Sequence, residues 1–326
     1  MLNNQRSPNN PILSPNKQNP WEAHASFNGC VIKDNNAFHL FYRAMSEFQD
    51  YQGVQLRLST IGKAVSTDGI HFANRRLLIK PEYEWEKFGC EDPRITKLDD
   101  KYFISYTALS SYPPTPPGIK IGVAITKDLQ TIQEKHLVTP FNSKAMALFP
   151  KRINNRIVGI LTANTDIPPA KIAIASFNSE EQIWSQDYWR GWYSSLENCT
   201  LPLQRTKNDQ VEVGAPPLET KDGWLLLYAY IKNYYSPKRI FGIEAVLLDL
   251  ENPLSIIGRI KEPLLIPKNK YELYGNVPNV IFPSGALVVK DKLYIYYGAA
   301  DTTCCLATCK LKDILSKMER GNEDEQ

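Results

Sequence analysis

The stretch Pro93-Arg94-Ile95-Thr96, Asp99-Asp100, Tyr102-Phe103-Ile104-Ser105-Tyr106 decides the fold. A short extended run meets a turn of two acids and returns as a run of aromatic and β-branched residues, the pattern of a strand hairpin. A third run, Ile121-Gly122-Val123-Ala124-Ile125-Thr126, completes the unit. The unit recurs upstream as Gly29 to Ile32, the turn Asp34-Asn35-Asn36, Phe38 to Tyr42 and then Ile61 to Gly69. Downstream it reads Phe149 to Ile153, Asn154-Asn155, Ile157 to Leu161 and Ile172 to Ser176. A fourth copy runs Pro216-Pro217-Leu218, Lys221-Asp222-Gly223, Leu225 to Tyr228 and Gly242 to Leu250. A fifth runs Gly285 to Val288, Lys290-Asp291, Leu293 to Tyr297 and Cys305 to Thr308. A strand-only unit returning every ~60 to 70 residues predicts a closed array of small sheets. The fold expected is all-β, a five-bladed β-propeller with a short C-terminal helix over Leu311 to Arg320, residues 1–326 forming one catalytic domain. A β-sandwich would leave the recurrence unexplained.

Composition narrows the function. The 326 residues carry 38 Lys plus Arg against 35 Asp plus Glu, and a net charge of +3 without a basic block argues against a nucleic-acid partner. No apolar run is long enough for a membrane helix, and Met1 to Pro8 lacks the apolar core of a signal peptide. The six cysteines form no C-x-x-C pair; apart from a vicinal Cys304-Cys305 bridge, the reading is buried thiols in a reducing compartment. A cytoplasmic protein is therefore expected. None of His24, His39, His71 and His136 sits at a metal-ligand spacing, so neither a metal nor an organic cofactor is expected.

In a propeller the first strand of each blade faces a central channel. Glu91-Asp92-Pro93-Arg94 opens the second unit, and the proline is expected to hold Asp92 extended. Two acids and an arginine there are either surface charges on a turn or a buried functional group. Asn28-Gly29 opens the first unit, Arg43 ends its second strand, and Asp301 follows Gly298-Ala299-Ala300. Glu212 and Glu244 are acids in otherwise apolar strands, facing either solvent or the channel. Trp21, Tyr83, Trp85, Tyr274 and the Trp189-Arg190-Gly191-Trp192-Tyr193 run are candidate sugar platforms or packing residues. Acid pairs with amide, arginine and aromatic neighbours suit glycosyl transfer, which needs a proton donor to the leaving oxygen and an attacking group on the opposite face.

These residues resemble glycoside hydrolase family 130, the β-mannoside phosphorylases and β-1,2-mannosidases. The resemblance spans about Asn10 to Leu311. Its motifs include Phe41-Tyr42-Arg43-Ala44, Ser66-Thr67-Asp68-Gly69, Glu91-Asp92-Pro93-Arg94, Ala215-Pro216-Pro217, Asn276-Val277-Pro278-Asn279 and Tyr296-Tyr297-Gly298-Ala299-Ala300-Asp301. It implies a five-bladed propeller and inversion at the anomeric carbon, with Asp92 as general acid. It also implies that Asn28, Arg43 and Asp301 hold the mannosyl unit; Glu91, Arg94, Tyr274 and Asn276 complete the expected substrate-binding set.

The chain departs from the phosphorylase pattern. Leu161-Thr162-Ala163 stands where those enzymes usually carry His-Arg-Pro, Gln210 where they carry a Lys or Arg, and Tyr228-Ala229 where they carry Tyr-His. Ser59-Thr60-Ile61-Gly62 lacks an arginine often found there. A phosphate dianion needs cations, and Glu212 and Glu244 add negative charge. The sequence therefore favours an inverting exo-β-mannosidase on β-1,2-mannooligosaccharides, with Glu212 and Glu244 activating water. The alternatives are a phosphorylase using Lys144, Arg152 or Arg190 for inorganic phosphate, and a non-catalytic carbohydrate-binding propeller. The expected partner is a mannoside oligosaccharide; a homo-oligomer is left open.

Overall fold

The computed structural model describes residues 5–319, and within them the chain is almost wholly β. The strands pair as antiparallel meanders in chain order. The first holds Ala25–Asp34, Ala37–Met45, Ser59–Ser66 and Ala73–Ile79. The second holds Gly89–Leu98, Lys101–Leu109, Ile119–Thr126 and Glu134–Leu137. Ser143–Leu148, Ile157–Ala163 and Lys171–Phe177 form the third. In the fourth, Gln210–Val213 and Leu218–Thr220 both pair with Gly223–Lys232, followed by Ile240–Leu248 and Ile256–Arg259. The fifth is Ile281–Val289, Lys292–Ala299 and Thr303–Lys310, and Gln5–Arg6 adds to its edge. Single parallel pairings, Ser59 with Gly89 and Ser26 with Thr303, join the first, second and fifth meanders into one mixed sheet. No sheet of the described residues closes on itself, so strand pairing alone does not give a blade count.

Side-chain packing goes further. Each core layer is shared by two meanders: Phe41 and Ile61 with Ile95 and Ile104, then Phe103 and Ile121 with Leu148 and Ile157. Phe149 and Ile172 pack with Val213 and Leu226, and Leu225 and Ile243 with Ile281 and Leu293. The last layer joins Leu40 and Tyr42 to Tyr296 and Leu306, from the fifth meander back to the first. Alternation along each second strand supplies both layers, since successive side chains take opposite faces.

The repeat has a polar signature that the strand pattern hides. In four meanders a second-strand tyrosine donates to a buried glutamate that also binds a cation. Tyr42 Oη reaches Glu22 at 2.7 Å, with Arg75 at 3.3 Å. Tyr106 reaches Glu86 at 2.5 Å, with Lys135 at 2.9 Å. Tyr297 reaches Glu272 at 2.8 Å, with Arg6 at 2.6 Å. Tyr228 reaches Glu244 at 2.8 Å, with Arg205 at 2.9 Å. A buried carboxylate is tolerated because its charge and lone pairs are matched.

Inner strands of three meanders carry the same one-residue bulge. The register slips between Phe27 and Cys30, between Glu91 and Arg94, and between Lys144 and Ala147. Within each slip one residue takes the left-handed conformation: Asn28 at φ 49°, Asp92 at 52° and Ala145 at 51°. A bulge re-aims the side chain at that point. The extended geometry expected of Asp92 is thus wrong: proline steers the preceding residue towards extended backbone, but the bulge places Asp92 at positive φ instead.

Three further expectations change. The first strand of the third unit is Ser143–Leu148, with Phe149 to Ile153 in the turn after it. The C-terminal helix is Leu311–Leu315; Arg320 lies outside the described residues. An unexpected helix, Gln186–Ser194, is capped by Ser185, whose side chain accepts from the Tyr188 N–H. It buries Trp189 and Trp192, whose indole N–H groups donate to Ile183 and Ile174 carbonyls. Trp189 and Trp192 are therefore packing residues, not sugar platforms. Their spacing of three residues is helical, a signal masked by Gly191.

Candidate active site

The bulges bring Asn28, Asp92 and their neighbours together. Asn28 Nδ2 donates to Asp92 Oδ1 at 2.8 Å, and Arg43 Nη1 lies 3.9 Å from the same oxygen. Both partners take Oδ1, and Oδ2 faces neither of them. Asn28 fits because Gly298 faces it: a Cβ there would fall 1.9 Å from Asn28 Oδ1. Arg94 is fully buried and spans two meanders, donating to the Asp92 carbonyl at 2.6 Å and the Gly214 carbonyl at 2.9 Å. It is a strut behind Asp92; burial lowers its guanidinium from the ordinary value.

Arg43 organises the other side. Its Nη2 meets Glu91 Oε1 at 2.5 Å, its Nε donates to Ser59 Oγ at 3.1 Å, and its guanidinium lies 4.9 Å from the Phe27 ring centre. Burial disfavours the Arg43 charge, but Glu91, Asp92 and Asp301 outweigh it and hold the group above its ordinary value. Burial pushes the Asp301 carboxyl up to about 6, with Arg43 pulling it down and Asp92 and Glu91 pushing further up. Ala300 and Asp301 are consecutive left-handed residues, at φ 47° and 48°. Asn276 secures this turn by donating from Nδ2 to the Asp301 carbonyl at 2.8 Å.

Glu212 and Glu244 part company. Glu212 pairs with Ala229, whereas Glu244 pairs with Tyr228, one residue along the same strand and so on the opposite face. Glu212 joins the cluster: burial pushes its carboxyl up to about 7, with Lys144 opposing and Asp166 and Asp92 reinforcing. Lys144 Nζ binds Asp166 Oδ1 at 2.9 Å, and Asn142 holds the other oxygen at 2.9 Å. Against burial, Glu212 and Asp166 raise the Lys144 ammonium. Glu244 instead faces Arg205 and Tyr228 between the third and fourth meanders, at 1% exposure. The expectation that both acids point into one channel fails for Glu244, because strand alternation puts it in the repeated tyrosine–glutamate–cation motif.

The remaining candidates sort cleanly. Tyr274 is 73% exposed. Trp85 stacks between Tyr83 and Tyr106, and Trp21 packs against Tyr42. Of the three alternative cations only Lys144 joins the cluster; Arg152 pairs with Asp99 and Arg190 with Asp187 on the surface. Ser59, Asp166 and His24 were missed by sequence reasoning, since each is placed by a loop or a neighbouring strand rather than by a local pattern. Among the described residues no group of His, Cys, Asp and Glu could hold a metal.

Paired carboxyls, a lysine and two arginines at the meeting of inner strands make this a carbohydrate-active enzyme of the glycosyl-transferring kind. The chain belongs to glycoside hydrolase family 130: the family model described as beta-1,4-mannooligosaccharide phosphorylase matches residues 3–320. It is 35% identical over 316 residues to the 1,2-beta-oligomannan phosphorylase of Thermoanaerobacter sp. (strain X514), covering 96% of this chain and 99% of that protein. It is 34% identical over 303 residues to the beta-1,2-mannobiose phosphorylase of the same strain, covering 91% and 94%. The Listeria innocua beta-1,2-mannobiose phosphorylase, solved with beta-1,2-mannobiose, superposes with a TM-score of 0.80 at 24% identity, covering 97% of this chain and 99% of that one.

Proposed function

We propose that this protein cleaves β-1,2-linked mannooligosaccharides by phosphorolysis, releasing mannose 1-phosphate with inversion. The observation that carries the reading is the surroundings of Lys144. The sequence argument for hydrolysis is that basic positions usual in the phosphorylases are neutral here, at Leu161-Thr162-Ala163, Gln210 and Tyr228-Ala229, and that two extra acids repel phosphate. One of them, Glu244, lies on the far face of its sheet with Arg205. The other, Glu212, is pushed up to about 7 by burial, which weakens its negative charge, and it interacts with the Lys144 ammonium. A cation next to a carboxyl that can surrender its charge suits an oxyanion. The two Thermoanaerobacter relatives, both named as phosphorylases acting on β-1,2-mannosides, support the same reading.

In this scheme the C1–O bond to the leaving sugar breaks as a phosphate oxygen bonds to C1 from the opposite face. Asp92 supplies, from Oδ2, the proton that the leaving oxygen gains. Asn28, Arg43 and Asp301 hold the mannosyl unit. The mutual arrangement belongs to a single five-bladed propeller domain, a count supported by core layers shared around a ring. A cytoplasmic setting is part of the proposal and draws support from six cysteines that are all free.

Hydrolysis is the second reading, favoured by the same Glu212: a carboxyl near 7 beside a substrate pocket is tuned to take a proton from water. Incubation with β-1,2-mannobiose, with and without inorganic phosphate, separates the two. Phosphate-dependent formation of mannose 1-phosphate is expected. Mannose released at the same rate without phosphate would establish hydrolysis, and no turnover in either condition would overturn both.

A further inference from the structure

We infer that His24 is a positioning residue for Asp301, acting through the Asn276 amide. The argument starts from backbone conformation. Ala300 and Asp301 are two successive non-glycine residues in the left-handed region, a conformation disfavoured for residues with a Cβ. Such a turn persists only if its surroundings hold it. Gly275 presses against it so closely that a Cβ would lie 2.5 Å from the Ala300 carbonyl oxygen. Val277 N–H donates to the Ala300 carbonyl at 3.2 Å, and Asn276 N–H donates to Thr302 Oγ1 at 3.0 Å. The bond that grips Asp301 itself comes from the Asn276 side chain, Nδ2 to the Asp301 carbonyl at 2.8 Å.

That bond fixes the amide. With Nδ2 committed to a carbonyl acceptor, Oδ1 is the atom facing His24 Nε2 at 2.8 Å. His24 must therefore donate from Nε2, while its Nδ1 faces Glu47 Oε2 at 3.5 Å. The backbone of His24 donates to the Met45 carbonyl at 3.0 Å, two residues beyond Arg43. His24 thus ties the strand end that carries Arg43 to the turn that carries Asp301, the two groups whose charges meet in the pocket. Without the His24 donor the Asn276 amide is held at Nδ2 alone, and its grip on the Asp301 carbonyl loosens. The role assigned to Asp301 rests on the proposed function; the clamp itself does not.

The test uses His24→Ala, His24→Gln and Asn276→Ala in the full-length protein. Glutamine restores an N–H donor at about the reach of Nε2. Hydrogen exchange over residues 299–303 should accelerate at least about threefold in His24→Ala and return towards wild type in His24→Gln. This arm needs no substrate, so it reports on the clamp whatever reaction the wild type performs. In turnover with β-1,2-mannobiose and phosphate, His24→Ala should lower kcat/KM about 10-fold, the scale of one lost hydrogen bond that positions a binding group. Added to Asn276→Ala, the His24→Ala change should cost less than about twofold more, because both remove the same link. Unchanged exchange at 299–303 in His24→Ala would overturn the inference, as would full additivity of the two substitutions. An inactive wild type would sink the proposed function and leave the exchange result to decide the clamp.

Discussion

Asn28 Nδ2 donates to Asp92 Oδ1 at 2.8 Å across 64 residues of sequence, and each of the two sits at the left-handed residue of its own strand bulge. The bond occupies one carboxyl oxygen, and under the proposed function the other, Oδ2, gives the proton. Asp92→Asn should keep the fold, because an amide can replace the acceptor at Oδ1. It should lower turnover by at least the ~10²-fold typical of general acid catalysis. Steady-state kinetics with an unactivated mannoside checks this, and near wild-type turnover in a folded variant would remove Asp92 from the role.

Gly298 is where the Asn28 side chain passes closest to a neighbouring strand. Gly298→Ala would set a methyl 1.9 Å from Asn28 Oδ1, on an amide whose Nδ2 is held by its bond to Asp92. The amide must move, so kcat/KM should fall about 10- to 100-fold, the range for a misplaced catalytic group. Strand pairing of Gly298 with Phe282 and Cys304 stays available, so circular dichroism should remain that of the wild type.

Glu212 and Glu244 should respond in opposite ways. Glu212→Gln is expected to change turnover at least tenfold and the pH–rate profile with it. Glu244→Ala is expected to act on stability: it leaves the buried Tyr228 hydroxyl without its acceptor and removes the partner of the partly exposed Arg205, a loss of about 1 to 2 kcal/mol. Thermal unfolding together with kinetics on the folded fraction separates the two. A Glu244→Ala enzyme of normal Tm and no activity would return Glu244 to the active site.

The pH dependence has a definite sign. Burial raises the Glu212 carboxyl to about 7, above its ordinary range near 4.5. A raised folded-state value means the native state holds the proton more tightly, so this contribution to stability is complete below about 4.5 and is lost as pH rises through 7. Asp301, raised to about 6, adds a loss over a lower window. Relative to Glu212→Gln, the wild type should therefore lose Tm between pH 5 and 8. A wild-type Tm that rises against the variant over that window would contradict the burial of Glu212.

Lys144 gives the test of the attacking group. Lys144→Ala should raise the KM for phosphate at least about tenfold while the KM for mannoside moves much less, the split expected when one charge-assisted contact to one substrate is removed. Equal effects on both would point to a role for Lys144 in holding Asp166 and the pocket wall instead.

The sequence by itself determined the strand repeat, because alternation and turn residues are local properties. It also pointed to Asn28, Arg43, Asp92 and Asp301, polar residues at the ends of apolar strands whose motifs carry the family resemblance, but not to the bulges that aim Asn28 and Asp92. Helix Gln186–Ser194 escaped because its Trp189 and Trp192 read equally well as exposed platforms until a core is there to receive them. Only the tertiary structure decided between Glu212 and Glu244. In sequence both are acids in apolar strands, and their faces differ by a single step of pairing against Tyr228 and Ala229. Strand period is two, so one residue of register sends one carboxyl to Lys144 and the other to Arg205. The charge of the pocket, and with it the case for phosphate, follows from that register.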